Sequence, residues 1–324
     1  MTTQTSVPDL LARTVLGGIS NLALADLPQG DNGQCIARLK EILMELPEEI
    51  EIASSRLNTS ASLTLAKATS DALDTIAALG GSDQIPAQSA VELSKLLGDL
   101  SAQLGAALRR EKADKVRGLY VIIDPEVTGG REPLEIAQAA VRGGAKMLQL
   151  RDKLRDKGEI LPLARDLQAL CESNDVLLIV NDHVDLAAAV GSGGVHVGQT
   201  DLPVTQARQV LGPEQVLGRS NRDIHLLVES QEMGADHVAF GAIYQTTTKP
   251  GGRGPQGPER LKEAREVTHV PLVAIGGINA ANVGPVIEYG ADAICVTAAV
   301  GLAPEPEAAA AEMVEAIRQA GGKV

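Results

Sequence analysis

From Arg117 onward the chain alternates short apolar runs with amphipathic stretches, and this alternation limits the possible folds more than any other feature. The runs cover 118–123, 146–150, 176–180, 194–197, 216–218, 237–241, 272–275 and 293–296, eight in all. Stretches with helical spacing separate or follow them at 133–142, 160–171, 184–190, 204–211, 224–233, 258–268, 280–289 and 307–319. Eight strand–helix units predict a closed parallel (β/α)8 barrel, of the TIM-barrel class, at the lower end of its size range. The rival is an open doubly wound sheet. It usually has fewer strands, and no GxGxxG follows the first run. The steps Gly143 to Ala145, Gly234-Ala235 and Gly290-Ala291 fit helices that end in glycine and feed the next strand, a purely structural pattern.

Residues 1 to about 112 have another texture. Leu39, Ile42, Leu43, Leu46 and Ile50 recur at helical spacing, as do Leu93, Leu97, Leu100, Leu104 and Leu108. Breaks fall at 30–33, Pro47, 80–82 and Pro86, which is expected in the first turn of the last long helix. Four or five helices in a small bundle are expected. The join, from Arg109 to Arg117, is charged and carries no Pro- or Ser-rich linker. The expected division is therefore a helical domain over 1–115 and an α/β barrel domain over 116–324.

With no Trp, one Phe and three Tyr, both cores must be built from aliphatic side chains. The net charge of -13 excludes the basic footprint that non-specific nucleic-acid binding requires. It leaves room for a phosphate site, which needs only a few placed cations, backbone N–H groups or a metal. Cys35, Cys171 and Cys295 lie far apart without metal-ligand spacing, as in a reducing compartment. Residues 1–9 lack the basic and apolar segments of a secretory leader, and no apolar run has membrane-spanning length. A cytoplasmic protein with no nucleic-acid or membrane partner is expected.

In such a barrel the chemistry lies just past the C-terminal end of each strand. After the second run stands Gln149-Leu-Arg-Asp-Lys153, where alternation puts Gln149, Arg151 and Lys153 on one side. Two cations and an amide suit a phosphorylated ligand; a solvated loop with Arg151 paired to Asp152 is the plainer alternative. Asn181-Asp182 follows the third run, and Asp201 lies in the loop after the fourth. Each Asp is either a helix N-cap or part of a shared Mg²⁺ site. His196, between two valines, reads as a packed, hydrogen-bonded side chain, and neither it nor His183 is assigned acid–base chemistry. Thr246-Thr-Thr-Lys249 precedes a Gly/Pro-rich loop and reads as an anion-binding lid or as a surface loop. Gly276-Gly277 ends the seventh run and Val296-Thr297 the eighth, where barrels of this class commonly bind phosphate through backbone N–H groups.

Taken in order, 118–124, Gln149-Leu-Arg-Asp-Lys153, Asn181-Asp182, Gly194-Val-His-Val-Gly-Gln-Thr-Asp201, Thr246-Thr-Thr-Lys249 and Ala274-Ile-Gly-Gly-Ile278 resemble the thiamine-phosphate synthase family over about 117–320. The resemblance implies condensation of 4-amino-2-methyl-5-(diphosphooxymethyl)pyrimidine with a thiazole phosphate, releasing pyrophosphate. Gln149, Leu150, Arg151, Asp152 and Lys153 would bind the pyrimidine diphosphate, with Arg151 and Lys153 on its diphosphate. Asn181 and Ser220 would contact the same substrate, and Asp182 and Asp201 would hold Mg²⁺. Thr246, Thr247 and Thr248 would bind the thiazole phosphate, Lys249 would reach the diphosphate, and Gly277, Val296 and Thr297 would form the second phosphate nest. Arg151, Lys153, Ser220 and Lys249 are the implied catalytic set; no protein nucleophile is required.

Four positions depart from the family pattern: Asp152 for Glu, Ala242 and Gln245 for Pro, and Thr297 for Ser. The lost prolines bear on the sixth loop but remove no charge. The N-terminal segment resembles helical extensions of some bacterial members and carries no matched catalytic motif, so dimerisation or docking is its expected role. Self-association through the barrel or these helices is the expectation for a macromolecular partner. The alternative function is a thiazole-phosphate tautomerase or regulator on the same barrel. It would need the seventh- and eighth-strand phosphate nest without the diphosphate cations.

Overall fold

The computed structural model describes residues 6–23, 32–45, 57–246 and 254–324. They form two compact units, Met1–Leu108 and Arg109–Val324. Leu46, Pro47, Ile50, Gly30 and Thr247-Thr248-Lys249 of the expected anion-binding segment lie outside the described residues.

Among the described residues the first unit is built on four helices, α1 (Val7–Ala23), α2 (Asn32–Glu45), α3 (Thr59–Ala78) and α4 (Ala87–Ala113). Leu16, Ile19, Leu39, Leu93, Leu97 and Leu104 are fully or almost fully buried in a shared aliphatic core, as the helical spacing requires. Gly18 lets α1 approach α3 closely, since a Cβ there would stand 2.3 Å from Thr69 Oγ1. Asn58 caps α3 by accepting from Ala61 N at 2.8 Å. Arg38 grips Glu92 with two hydrogen bonds, of 2.6 and 3.1 Å, tying α2 to α4. Pro86 stands just before α4 rather than inside its first turn, and its carbonyl accepts from Ala90 N.

The second unit is a closed barrel of eight parallel strands in sequential order. The strands are β1 (Gly118–Ile123), β2 (Met147–Leu150), β3 (Leu177–Asn181), β4 (Gly194–Val197), β5 (Val216–Asn221), β6 (His237–Gly241), β7 (Leu272–Ile275) and β8 (Ala293–Val296). Helices α5 (Pro133–Arg142), α6 (Lys157–Ser173), α7 (Val184–Val190), α8 (Val204–Val210), α9 (Ile224–Glu232), α10 (Glu259–Glu266) and α11 (Val283–Glu288) connect them, and α12 (Ala298–Gly301) and α13 (Pro306–Gln319) follow β8. Strand alternation divides the apolar residues into two cores. Tyr120, Met147, Ile179, Val216, Val273 and Cys295 belong to one, inside the barrel. Leu119, Leu148, Leu178, Val195, Leu217 and Ile294 belong to the other, against the surrounding helices.

One difference from the apolar pattern bears on the site. β5 runs three residues beyond Gly218, through Arg219, Ser220 and Asn221. Pairing with β6 extends it, Ser220 opposite Ala239 and Asn221 opposite Phe240, so backbone bonding outruns the hydrophobic signal. Among the described residues no helix is long and apolar enough to cross a membrane.

Candidate active site

The strands end at one mouth, and their last residues and following loops carry the polar groups. Gln149 points into the barrel, buried, and donates from Nε2 to Tyr120 Oη at 2.5 Å. Two residues on, Arg151 donates to Asp124 Oδ2, a carboxylate fully buried after β1. Asp124 also accepts from Glu126 N at 3.0 Å. Sequence reasoning gave Asp124 no role; an Asp directly after a strand, one loop from Arg151, was the available signal. Arg151 is thus paired, but not with its neighbour Asp152.

Leu150 and Asp152, both expected among the substrate contacts, have their side chains engaged elsewhere. Leu150 packs in the core between barrel and helices. Asp152 is buried and accepts from Leu154 N at 2.9 Å, Arg155 N at 3.2 Å and Arg155 Nε at 2.6 Å. Burial pushes its pKa up, but these bonds outweigh that and hold it below the usual range. Asp152 shapes the loop that carries Lys153, which leaves main-chain atoms of Leu150 and Asp152 for any ligand. The physical reason is the alternation itself, which turns even-numbered residues away from Gln149, Arg151 and Lys153.

Lys153 reaches across to the tip of β3 and donates to Asp182 Oδ2. Asp182 holds a left-handed backbone at φ 59°, uncommon outside glycine and tolerated best by Asn and Asp, and its N–H donates to His196 O at 2.8 Å. Asn181, half-buried, ends β3 opposite His196. Asp201 sits in the loop after β4 and accepts from Gly198 N at 2.7 Å. Neither aspartate caps a helix. The N-cap positions of α7 and α8 are His183 and Pro203, neither with a side-chain cap bond. The two carboxyl groups instead lie near enough to influence one another's ionisation. Burial raises Asp182, yet the bonds from Lys153 and Asp201 and the Lys153 charge hold it low. Burial and the neighbouring Asp182 push Asp201 up. Two neighbouring carboxyls that repel when both are ionised could hold a hard cation. Among the described residues no group of three or more His, Cys, Asp or Glu side chains that could hold a metal is found.

Ser220 is exposed at the mouth, with its Oγ 2.8 Å from His196 Nε2. Arg219, next to it, is buried and turned outward. It donates to Gln199 Oε1 at 2.9 Å, and Gln199 Nε2 donates to Ser220 O at 2.6 Å and Asn221 Oδ1 at 3.1 Å. This network ties the loop bearing Asp201 to the end of β5. Thr246 lies at the last described position before 247–253.

Gly277 adopts φ 66°, and a Cβ there would stand 2.4 Å from Gln245 O. Asn282 Nδ2 donates to Gly277 O at 3.0 Å, and Tyr244 Oη donates to Asn282 O at 3.0 Å, so the loops after β6 and β7 are tied together. Val296 is buried as the last residue of β8; Thr297 follows it, and its carbonyl accepts from Gly301 N at 2.8 Å. The site residues among those described therefore come from the ends of six strands, β2 to β5, β7 and β8, and from the loop after β6.

The family model for thiamine monophosphate synthase matches residues 119–300, more than half of the chain. This chain belongs to that family. The thiamine-phosphate synthase of Thioalkalivibrio sulfidiphilus is 45% identical over 203 residues, covering 62% of this chain and 95% of that protein. The enzyme of Shouchella clausii is 39% identical over 202 residues, covering 62% of this chain and 97% of the relative. The solved thiamine phosphate pyrophosphorylase of Pyrococcus furiosus superposes with a TM-score of 0.60 at 31% identity, over 65% of this chain and 99% of that one. The family membership makes the barrel unit a thiamine-phosphate synthase domain and the protein a transferase. The match begins at Leu119, so the helical unit lies outside it.

Proposed function

We propose that the barrel joins a pyrimidine methyl diphosphate to a thiazole phosphate through the residues at its mouth. The observation that carries this reading is the convergence of Lys153, Asp182 and Asp201 from three successive strand ends. A cation paired with one of two neighbouring carboxyls offers both halves of a diphosphate site. In the reaction the CH2–O bond breaks, its electron pair leaving on the pyrophosphate. The pyrimidine methyl cation is stabilised by the ring amino group and captured by the thiazole nitrogen lone pair.

Asp182 and Asp201 would hold Mg²⁺, and their all-oxygen donor set fits that ion. When bound, Mg²⁺ supplies positive charge against the diphosphate oxygens. Lys153 exchanges Asp182 for the diphosphate, while Arg151 approaches it from the Asp124 side. Lys249, from the segment after β6, would add a third cation. These groups stabilise the leaving group as its charge grows. Asn181 and Ser220 hold the pyrimidine substrate, with Gln149 beneath it. Thr246, Thr247 and Thr248, with the backbone at Gly277, Val296 and Thr297, hold the thiazole phosphate in line with the cation. Alignment of two bound substrates supplies the rest of the rate. The helical unit is proposed as a dimerisation or docking module.

The test is pyrophosphate release by the purified protein given both substrates and Mg²⁺, with each component omitted in turn. Release that needs all three, with an equal yield of thiamine phosphate, is the expected result. No release while thiazole phosphate still binds would overturn it in favour of the tautomerase or regulator.

A further inference from the structure

A second histidine lies beneath the mouth, and the reaction described above gives it no part. His237, the first residue of β6, is fully buried inside the barrel, and neither ring nitrogen has a hydrogen-bond partner among the described residues. A buried N–H without a partner is rare in folded proteins and calls for an explanation. Strand register supplies one. His196 on β4 pairs with Gly218 on β5, and Gly218 pairs with His237 on β6. Because the residue between them has no side chain, the two imidazoles close to a centroid separation of 5.6 Å. A Cβ on Gly218 would lie 2.0 Å from His237 Nε2 and 2.6 Å from His196 Nδ1, so both nitrogens border the space that the glycine vacates. On its other side His196 Nε2 meets Ser220 Oγ at 2.8 Å, at the exposed mouth.

Burial, reinforced by the neighbouring His196, pushes the His237 pKa down to about 3. At neutral pH the ring is therefore uncharged and carries a single N–H. On Nε2 that proton faces His196; on Nδ1 it would be a stranded donor. A stranded acceptor is the more tolerable of the two.

We propose that His237 is a positioning residue for Ser220. Its Nε2–H, directly or through one water, donates toward His196 Nδ1 across Gly218 and fixes His196 in the Nε2–H tautomer. His196 then donates to Ser220 Oγ, and the Ser220 O–H is left to donate to the substrate. No proton is transferred; the pair sets which way one hydroxyl points. The inference rests on Ser220 being a substrate contact, as proposed above.

The experiment is two-bond ¹H–¹⁵N correlation on the full-length protein labelled with ¹⁵N-histidine, which separates the two neutral tautomers, alongside steady-state kinetics. Expected are Nε2–H tautomers for both His196 and His237. In His237→Phe the single His196 tautomer is expected to be lost, and kcat to fall roughly tenfold, the worth of one misdirected hydrogen bond, with both KM values little changed. His237→Gln, which keeps an N–H donor, should restore much of both. A proton on Nδ1 of His237 in the unsubstituted protein overturns the proposal even if no variant folds. So does a His196 tautomer that His237→Phe leaves unchanged. Failure of the unsubstituted protein to form thiamine phosphate would instead sink the functional reading, leaving the tautomer result to stand by itself.

Discussion

Lys153 donates to the Asp182 carboxylate, so a cation proposed for the diphosphate and a carboxylate proposed for the metal neutralise one another before either meets its ligand. Pairing keeps Asp182 ionised despite its burial, while Asp201 beside it is pushed up. In the proposed reaction, substrate and ion would enter by exchanging partners rather than by uncovering bare charges, which would lower the desolvation cost of binding.

Asp182→Asn and Asp201→Asn each keep the side-chain volume and remove the charge. Each is expected to lower the rate of thiamine phosphate formation by ~100-fold or more at limiting Mg²⁺. The thermal midpoint should move little, since neither aspartate caps a helix. The pyrophosphate assay and a thermal scan check this, and wild-type rates in both variants would remove the metal assignment.

Gly277→Ala puts a Cβ 2.4 Å from Gln245 O on a backbone at φ 66°. The strain should cost about 1–3 kcal/mol and push the seventh loop away from the sixth. KM for the thiazole phosphate is expected to rise, and KM for the pyrimidine diphosphate to stay near its original value. Gly284→Ala is the control, because a Cβ there meets nothing within 4 Å. Equal effects on the two KM values would refute a role confined to the thiazole partner.

Acid stability should carry the signature of His237. Its folded pKa of about 3 lies below the ordinary histidine value of 6.5, so between these limits the unfolded chain binds the extra proton. Stability is full above pH 6.5 and falls as pH drops toward 3, by about 1.4 kcal/mol per pH unit from this group. Urea unfolding of the barrel unit at a series of pH values should show that slope reduced in His237→Gln. An unchanged slope would mean that the ring is charged, or solvated, in the folded state.

Among the described residues the buried apolar side chains of the helical unit and of the barrel form separate core clusters. A chain beginning at Arg109 is expected to fold and to make thiamine phosphate. It keeps Arg109 on Asp236, at 3.3 Å, and Val116 in the barrel interior. A chain beginning at Arg117 loses both. Burying a valine is worth roughly 1.5–3 kcal/mol, so its thermal midpoint should drop by several degrees. Calorimetry of the two fragments decides it, and equal midpoints would show that the end of α4 contributes nothing to the barrel.

Much of this molecule was legible in the chain alone. The periods of the apolar residues determined eight strands, their order and the helical character of the first hundred residues, because burying one face demands a fixed spacing whatever the partner. The composition determined aliphatic cores, and the order of polar residues after each run located the mouth. What the chain could not express is which of these polar groups meet. Lys153 and Asp182 lie 29 residues apart, and only the parallel pairing of β2 with β3 sets them tip to tip. Arg219 stands on the outward face of a strand whose length is decided by pairing with β6, and there it holds Gln199. His237 looks like the start of an apolar strand. Its proximity to His196 depends on a glycine in the strand between, and that register exists only in the folded sheet. Local periodicity is a property of one segment; hydrogen-bond partnership across strands is a property of the closed sheet, and tertiary structure alone decided it.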